Sequence, residues 1–154
     1  MAVSTLTRRL AAEPDAVFDQ VADPHRLPDW NAQIVRVLDA PATLEVGAQW
    51  VVEMSALGQS WASRSRVEDL DRAARRFVHR SQTDDGNPSC SVWTWTVDPV
   101  PGGSELTVAW ELDPKTFWRR ALLSRIRQHQ LMKSEVPASL EALAVVVGRK
   151  RARG

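Results

Sequence analysis

Residues 91–112 read SVWTWTVDPVPGGSELTVAWEL. Apolar and polar side chains alternate on both sides of Pro101-Gly102-Gly103. A period of two marks a half-buried strand, and Gly supplies the positive φ of a tight turn. The stretch therefore reads as two antiparallel strands joined by a short turn. A turn centred on Gly102-Gly103 pairs Val97 with Val108, Trp95 with Trp110 and Trp93 with Leu112. Trp93, Trp95, Val97 and Trp110 then share one face. A slip of two residues would preserve that facing.

The same pattern extends towards the N-terminus. Candidate strands are Ile34–Leu38, Gln49–Leu57, Trp61–Leu70, Arg76–Thr83, Ser91–Val97 and Glu105–Leu112, with a further one at Val3 to Leu10. Between them lie turn compositions such as Leu57-Gly58-Gln59 and Asp71-Arg72-Ala73-Ala74. Short turns between successive strands imply an antiparallel meander. After the first strand, Pro14 and Asp15 suit a helix N-terminus, and Val17, Phe18 and Val21 form its apolar face. A second short helix or turn follows at His25–Trp30, broken by Pro28.

Beyond Asp113-Pro114, an apolar stripe recurs every three or four residues. It comprises Trp118, Leu122, Ile126, His129, Met132, Val136, Leu140, Leu143 and Val147. This predicts a long C-terminal helix, kinked or divided at Pro137. A seven-stranded α+β sheet needs a partner for its apolar face, and that helix is the available one. A curved sheet wrapped around a single helix is expected to leave an internal cavity.

The chain has 154 residues, close to one domain's worth. A single domain is expected over residues 1–148, with a disordered basic tail at 149–154. Arg149, Lys150, Arg151 and Arg153 lie in that tail; without them 16 basic residues face 19 acidic ones. The body is mildly acidic, so no nucleic-acid partner is expected. No apolar run approaches the roughly 20 residues of a membrane helix, so no stable membrane insertion is expected. The N-terminus does not read as a secretory signal, and Cys90 is the single cysteine. Both point to the cytoplasm. His25, His79 and His129 are scattered without metal-ligand spacing, so no metal is expected. There are 7 Trp, 3 Phe and no Tyr. So many indoles in one small domain must either fill a core or line a cavity.

Several stretches resemble the START-related superfamily of polyketide cyclases and lipid-transfer proteins, the helix-grip fold often labelled SRPBCC. The matching residues are Ala12-x-Pro14-x-x-Val17-Phe18-x-x-Val21-x-Asp23 and Leu27-Pro28-Asp29-Trp30. Arg75-Arg76-Phe77-Val78-His79-Arg80 and Pro101-Gly102-Gly103-Ser104-Glu105-Leu106 complete the set. The resemblance runs from about residue 2 to residue 147. It implies an internal, mostly apolar pocket and no obligatory cofactor. It implies no single reaction, because members include carriers, receptors, aromatase/cyclases and chaperone activators.

Alternation assigns the inward side chains. On the third strand they are Trp50, Val52 and Met54; on the fourth, Trp61, Ser63, Ser65 and Val67. The fifth strand allows either Phe77 with His79 or Val78 with Arg80. A turn centred between Arg72 and Ala73 pairs Val67 with Val78 and Ser65 with Arg80. The resemblance to cyclases favours the same facing, which puts Val78, Arg80 and Gln82 inside. An inward Arg80 would need a partner, such as a ligand carboxylate or enolate flanked by Ser65 and Ser63. The alternative is Arg80 at the surface or paired with a structural carboxylate. His129 reads either as a general acid or base or as a histidine satisfied at the helix–sheet seam.

The candidate catalytic residues are thus Arg80, Ser65 and His129. The candidate ligand-binding residues are Trp50, Val52, Met54, Trp61, Ser63, Val78, Trp93, Trp95, Trp110 and Met132. Three functions compete. The first is binding or transport of a hydrophobic small molecule, lipid or polyketide-like. The second is a cofactor-independent polyketide aromatase/cyclase, promoting aldol closure and dehydration. The third is a protein-interaction or regulatory module. The short list of inward polar groups favours binding. A monomer or homodimer is expected.

Overall fold

The computed structural model describes residues 3–56, 58–83, 90–113 and 135–153. Strand β1 (Ser4–Leu10) leads into helix α1 (Pro14–Val21), a 3-10 turn (Pro24–Arg26) and helix α2 (Leu27–Trp30). Six strands follow: β2 (Ile34–Asp39), β3 (Gln49–Ala56), β4 (Gln59–Asp71), β5 (Arg76–Thr83), β6 (Cys90–Val100) and β7 (Gly103–Asp113). Helix α3 (Val136–Arg153) ends the described chain. The strands form one seven-stranded sheet in the order β1-β7-β6-β5-β4-β3-β2. Every neighbouring pair is antiparallel. This is the α+β helix-grip arrangement that the turn chemistry and the alternation predict.

The β6–β7 hairpin closes through Pro101 and Gly102, the latter at φ 84°. Trp93 lies opposite Trp110, Trp95 opposite Val108 and Val97 opposite Leu106. The pairing is displaced by two residues from the expected register, so each side chain keeps its face. Gly103 has a separate reason to be glycine. A Cβ there would collide with the carbonyl oxygen of Leu10 on the neighbouring β1.

The β4–β5 hairpin corrects the expected facing of β5. Its turn spans Arg72–Arg75, with the Ala74 N–H donating to Asp71 Oδ1 at 3.0 Å and Arg75 at φ 54°. Leu70 faces Phe77 and Asp69 faces Val78. The ladder then shifts, so that Val67 lies opposite His79 and Ser65 opposite Ser81. The turn is centred one residue later than the sequence reading placed it, which alone preserves facing. The bulge at Glu68 adds a one-residue shift, and that reverses it. Phe77, His79 and Ser81 therefore point inward. Val78, Arg80 and Gln82 lie on the opposite face.

The core gathers between the inner face and the helices. Trp30, Trp110, Phe18, Leu106 and Leu143 are all 2% exposed or less. On α3 the stripe Val136, Leu140, Leu143 and Val147 is buried as periodicity predicts. Pro137 is the second residue of α3 as described, and the residues before Glu135, where the expected kink or division would lie, are outside the described residues. The helix runs through Arg153, so the basic residues 149–153 continue it where the sequence reading set a disordered tail. Lys and Arg are good helix formers, and cations suit a helix C-terminus. The upstream stripe positions Trp118, Leu122, Ile126, His129 and Met132 lie outside the described residues. Two ties fix α3: the Ala32 N–H donates to Ser139 Oγ at 3.0 Å, and Arg8 pairs with Glu141.

Candidate functional site

The inner face of β3–β7 carries a continuous row of rings. Trp50 stacks on Phe77 at 5.9 Å and meets His79 edge-on at 5.2 Å. His79 lies near parallel to Trp93 at 6.5 Å. Trp93 stacks in turn on Trp95 at 6.1 Å and on Trp110 at 5.6 Å. Trp30 of α2 closes the row against Trp95, edge to face at 5.5 Å. Cross-strand pairing positions these rings, since His79 lies opposite Trp93 and Trp93 opposite Trp110. Aromatic pairs in such arrangements add roughly 0.5–1.5 kcal/mol each beyond burial.

Burial along this face is graded. Trp50, Val52, Phe77, Trp95, Val97 and Trp110 are buried. Met54, Trp61, His79, Ser81, Ser91, Trp93 and Leu112 keep some accessible surface. They gather at one end of the sheet: Met54 faces Trp61, Ser81 faces Ser91, and Ser91 faces Leu112. The far end is sealed by α1 and the β6–β7 hairpin, where Val17, Phe18 and Leu106 are buried.

A polar chain runs through the rings. Trp95 Nε1 donates to His79 Nε2 at 3.0 Å. An indole N–H only donates, so His79 Nε2 must accept and its hydrogen sits on Nδ1. That nitrogen lies 3.1 Å from Ser81 Oγ and therefore donates to it. Ser81 Oγ and Ser65 Oγ are 2.6 Å apart. Ser63 donates to the Gln82 carbonyl at 3.3 Å, and Trp93 Nε1 donates to Ser91 Oγ at 3.0 Å. His79 is packed among Trp50, Phe77 and Trp93, and desolvation there lowers its pKa to about 3. His79 is neutral across the physiological range.

Of the expected ligand-binding residues, Trp50, Val52, Met54, Trp61, Ser63, Trp93, Trp95 and Trp110 share this face, as does Ser65. Val78 is buried but on the other side of β5. Arg80 is on that side too. Its Nε meets Glu68 at 3.2 Å and its Nη1 lies 3.4 Å from Cys90 Sγ. A guanidinium half exposed beside a carboxylate needs no buried counter-ion. His129 and Met132 lie outside the described residues.

Phe77 and His79 are the inward alternative that the sequence reading weighed and did not choose, and Ser81 follows from the same parity. A signal for them existed. The odd-numbered set on β5 is uncharged, whereas the even-numbered set holds Arg76 and Arg80. Elsewhere, an external cleft of about 230 Å³ lies between α1 and the β2–β3 connection. Its charges are already paired, Arg26 with Asp23 and Arg72 with Asp19. No group of three His, Cys, Asp or Glu among the described residues is placed to hold a metal ion. No helix there is long and apolar enough to cross a membrane.

Comparison with solved structures gives the same architecture. The Chromobacterium violaceum protein CV1439 is 26% identical, with a TM-score of 0.68 over 94% of this chain and 96% of its own. A START superfamily protein from Mycobacterium smegmatis is 17% identical, with a TM-score of 0.72 over 96% and 97%. The di-domain ARO/CYC BexL from the BE-7585A biosynthetic pathway is 20% identical, with a TM-score of 0.71. The match covers 94% of this chain and 45% of BexL. No curated protein matches the sequence. The profile of one family, described as polyketide cyclase / dehydrase and lipid transport, matches residues 1–148. A curved antiparallel sheet facing a C-terminal helix, a ring-lined inner face and that full-length match agree, and the chain belongs to the polyketide cyclase / dehydrase and lipid transport family.

Proposed function

We propose that the protein binds and carries a hydrophobic small molecule, lipid or polyketide-like, against the inner face of its sheet. The observation that carries this reading is Trp93. It stacks on two other indoles yet keeps accessible surface. A large aromatic side chain that faces inward without being sealed lines a space rather than filling it. Flat apolar ligands suit such a wall, because ring stacking adds to burial. A single cysteine beside Arg80 suits a reducing cytoplasm.

The aromatase/cyclase reading used Arg80 meeting an enolate beside Ser65, with His129, which lies outside the described residues, as a further acid or base. Arg80 instead pairs with Glu68 on the other face, and His79 is held neutral with its proton committed to Ser81. Containment is therefore favoured over proton transfer. The test is mass spectrometry of organic extracts from the purified native protein, followed by titration of the stripped protein with the compounds found. The expected result is a defined set of apolar compounds that rebind and alter tryptophan fluorescence. Empty extracts, together with no fluorescence response to flat aromatic or acyl-chain probes, would overturn the reading.

A further inference from the structure

The hydrogen-bond chain on the inner face has a direction, and the direction selects the ligand's polar group. Four serines line this part of the wall: Ser63, Ser65, Ser81 and Ser91. The Ser63 hydroxyl hydrogen goes to the Gln82 carbonyl at 3.3 Å. Ser91 accepts from Trp93 Nε1, and its own hydrogen goes to the Ser81 carbonyl at 3.5 Å. The remaining pair, Ser65 and Ser81, has two hydroxyl hydrogens and one shared contact of 2.6 Å. Ser81 already accepts from His79 Nδ1, because Trp95 forces that tautomer. Whichever hydroxyl donates across the pair, one O–H hydrogen is left without an acceptor among the described residues.

A second donor stands in the same condition. Trp30 is 1% exposed, its ring meets that of Trp95, and its Nε1 finds no acceptor among the described residues. The Trp30 donor is buried and the Ser65–Ser81 pair is part-buried. A donor withdrawn from water without a partner costs free energy, so both sites favour an acceptor from outside the chain. We infer that the Ser65–Ser81 pair, polarised by Trp95 and His79, is a specificity subsite for a carbonyl or other acceptor oxygen on a flat apolar ligand. The rings hold the ligand's body and the leftover hydroxyl hydrogen meets its oxygen. The relay carries no net proton transfer; it orients one donor. The inference rests on the binding reading above and adds to it which ligands are preferred.

The test compares 2-acetylnaphthalene with 2-isopropenylnaphthalene, in which a CH2 group replaces the carbonyl oxygen at nearly the same shape. Equilibrium dialysis measures both against the full-length protein and against the double variant Ser65→Ala/Ser81→Ala. The wild-type protein should bind the ketone roughly tenfold more tightly, the usual scale of one hydrogen bond. The double variant should bind both with nearly equal affinity. Equal affinities in the wild type would overturn the subsite and leave the binding reading intact, and so would a preference that survives in a folded double variant. Binding of neither compound would overturn the subsite for a flat apolar ligand, and the extracts and acyl-chain probes named above would then decide the binding reading separately. The wild-type ratio decides the matter even where the double variant fails to fold.

Discussion

Replacing His79 by Gln removes a titrating group while keeping an acceptor for Trp95 Nε1 and a donor for Ser81. The folded protein holds His79 at a pKa of about 3, against 6.5 for an ordinary histidine, because the ring is desolvated among Trp50, Phe77 and Trp93. Between those two values the unfolded chain binds a proton that the folded chain refuses. Stability therefore falls as pH drops below about 6.5, by about 1.4 kcal/mol per pH unit, until the folded pKa is reached. Above pH 6.5 the group is neutral in both states and contributes nothing. At pH 5.0 the wild type should have lost about 2 kcal/mol relative to pH 7.5 through this residue alone. Carboxylates titrate in both proteins and cancel in the comparison. Urea unfolding followed by tryptophan fluorescence at both pH values reads the effect as a midpoint difference of about 1 M. Parallel pH dependence in wild type and His79→Gln would refute the desolvated, neutral histidine.

Two further substitutions probe the frame and the outer face. Gly103→Ala should cost roughly 1–3 kcal/mol, read as a lowered Tm, because its Cβ meets the Leu10 carbonyl oxygen; an unchanged Tm would mean that β1 sits elsewhere. Arg80→Met should change stability by no more than about 0.5 kcal/mol and leave affinity for apolar probes unchanged, because Arg80 pairs with Glu68 in solvent. A large loss of affinity would return Arg80 to the ligand side.

Most of the fold was legible because its signals are local. Pro14, Gly102 and the period-two runs mark element ends without reference to distant residues. The facing of β6 and β7 survived a two-residue displacement because alternation repeats at that interval. The facing of β5 did not survive, because it depends on a bulge at Glu68 and on Arg75 at φ 54°. Neither carries a Gly or Pro marker. The bulge changes the parity of a whole ladder through one residue. His79 was obscured for the same reason, although the uncharged odd-numbered set on β5 pointed to it. The hydrogen-bond chain was not legible at all. It joins side chains from three strands, and its direction follows from a tautomer that only the Trp95 contact fixes.

The most direct test of the binding account is to watch the indole N–H signals by 15N NMR while the protein is titrated with 2-acetylnaphthalene. The 7 tryptophans give separate resonances, assignable through single Trp→Phe variants. Binding against the inner face should shift Trp93 and Trp95 most, because Trp93 keeps accessible surface and Trp95 starts the chain that ends at Ser65 and Ser81. Resonances of Trp50, Trp93, Trp95 and Trp110 that all stay fixed at saturating probe would contradict it.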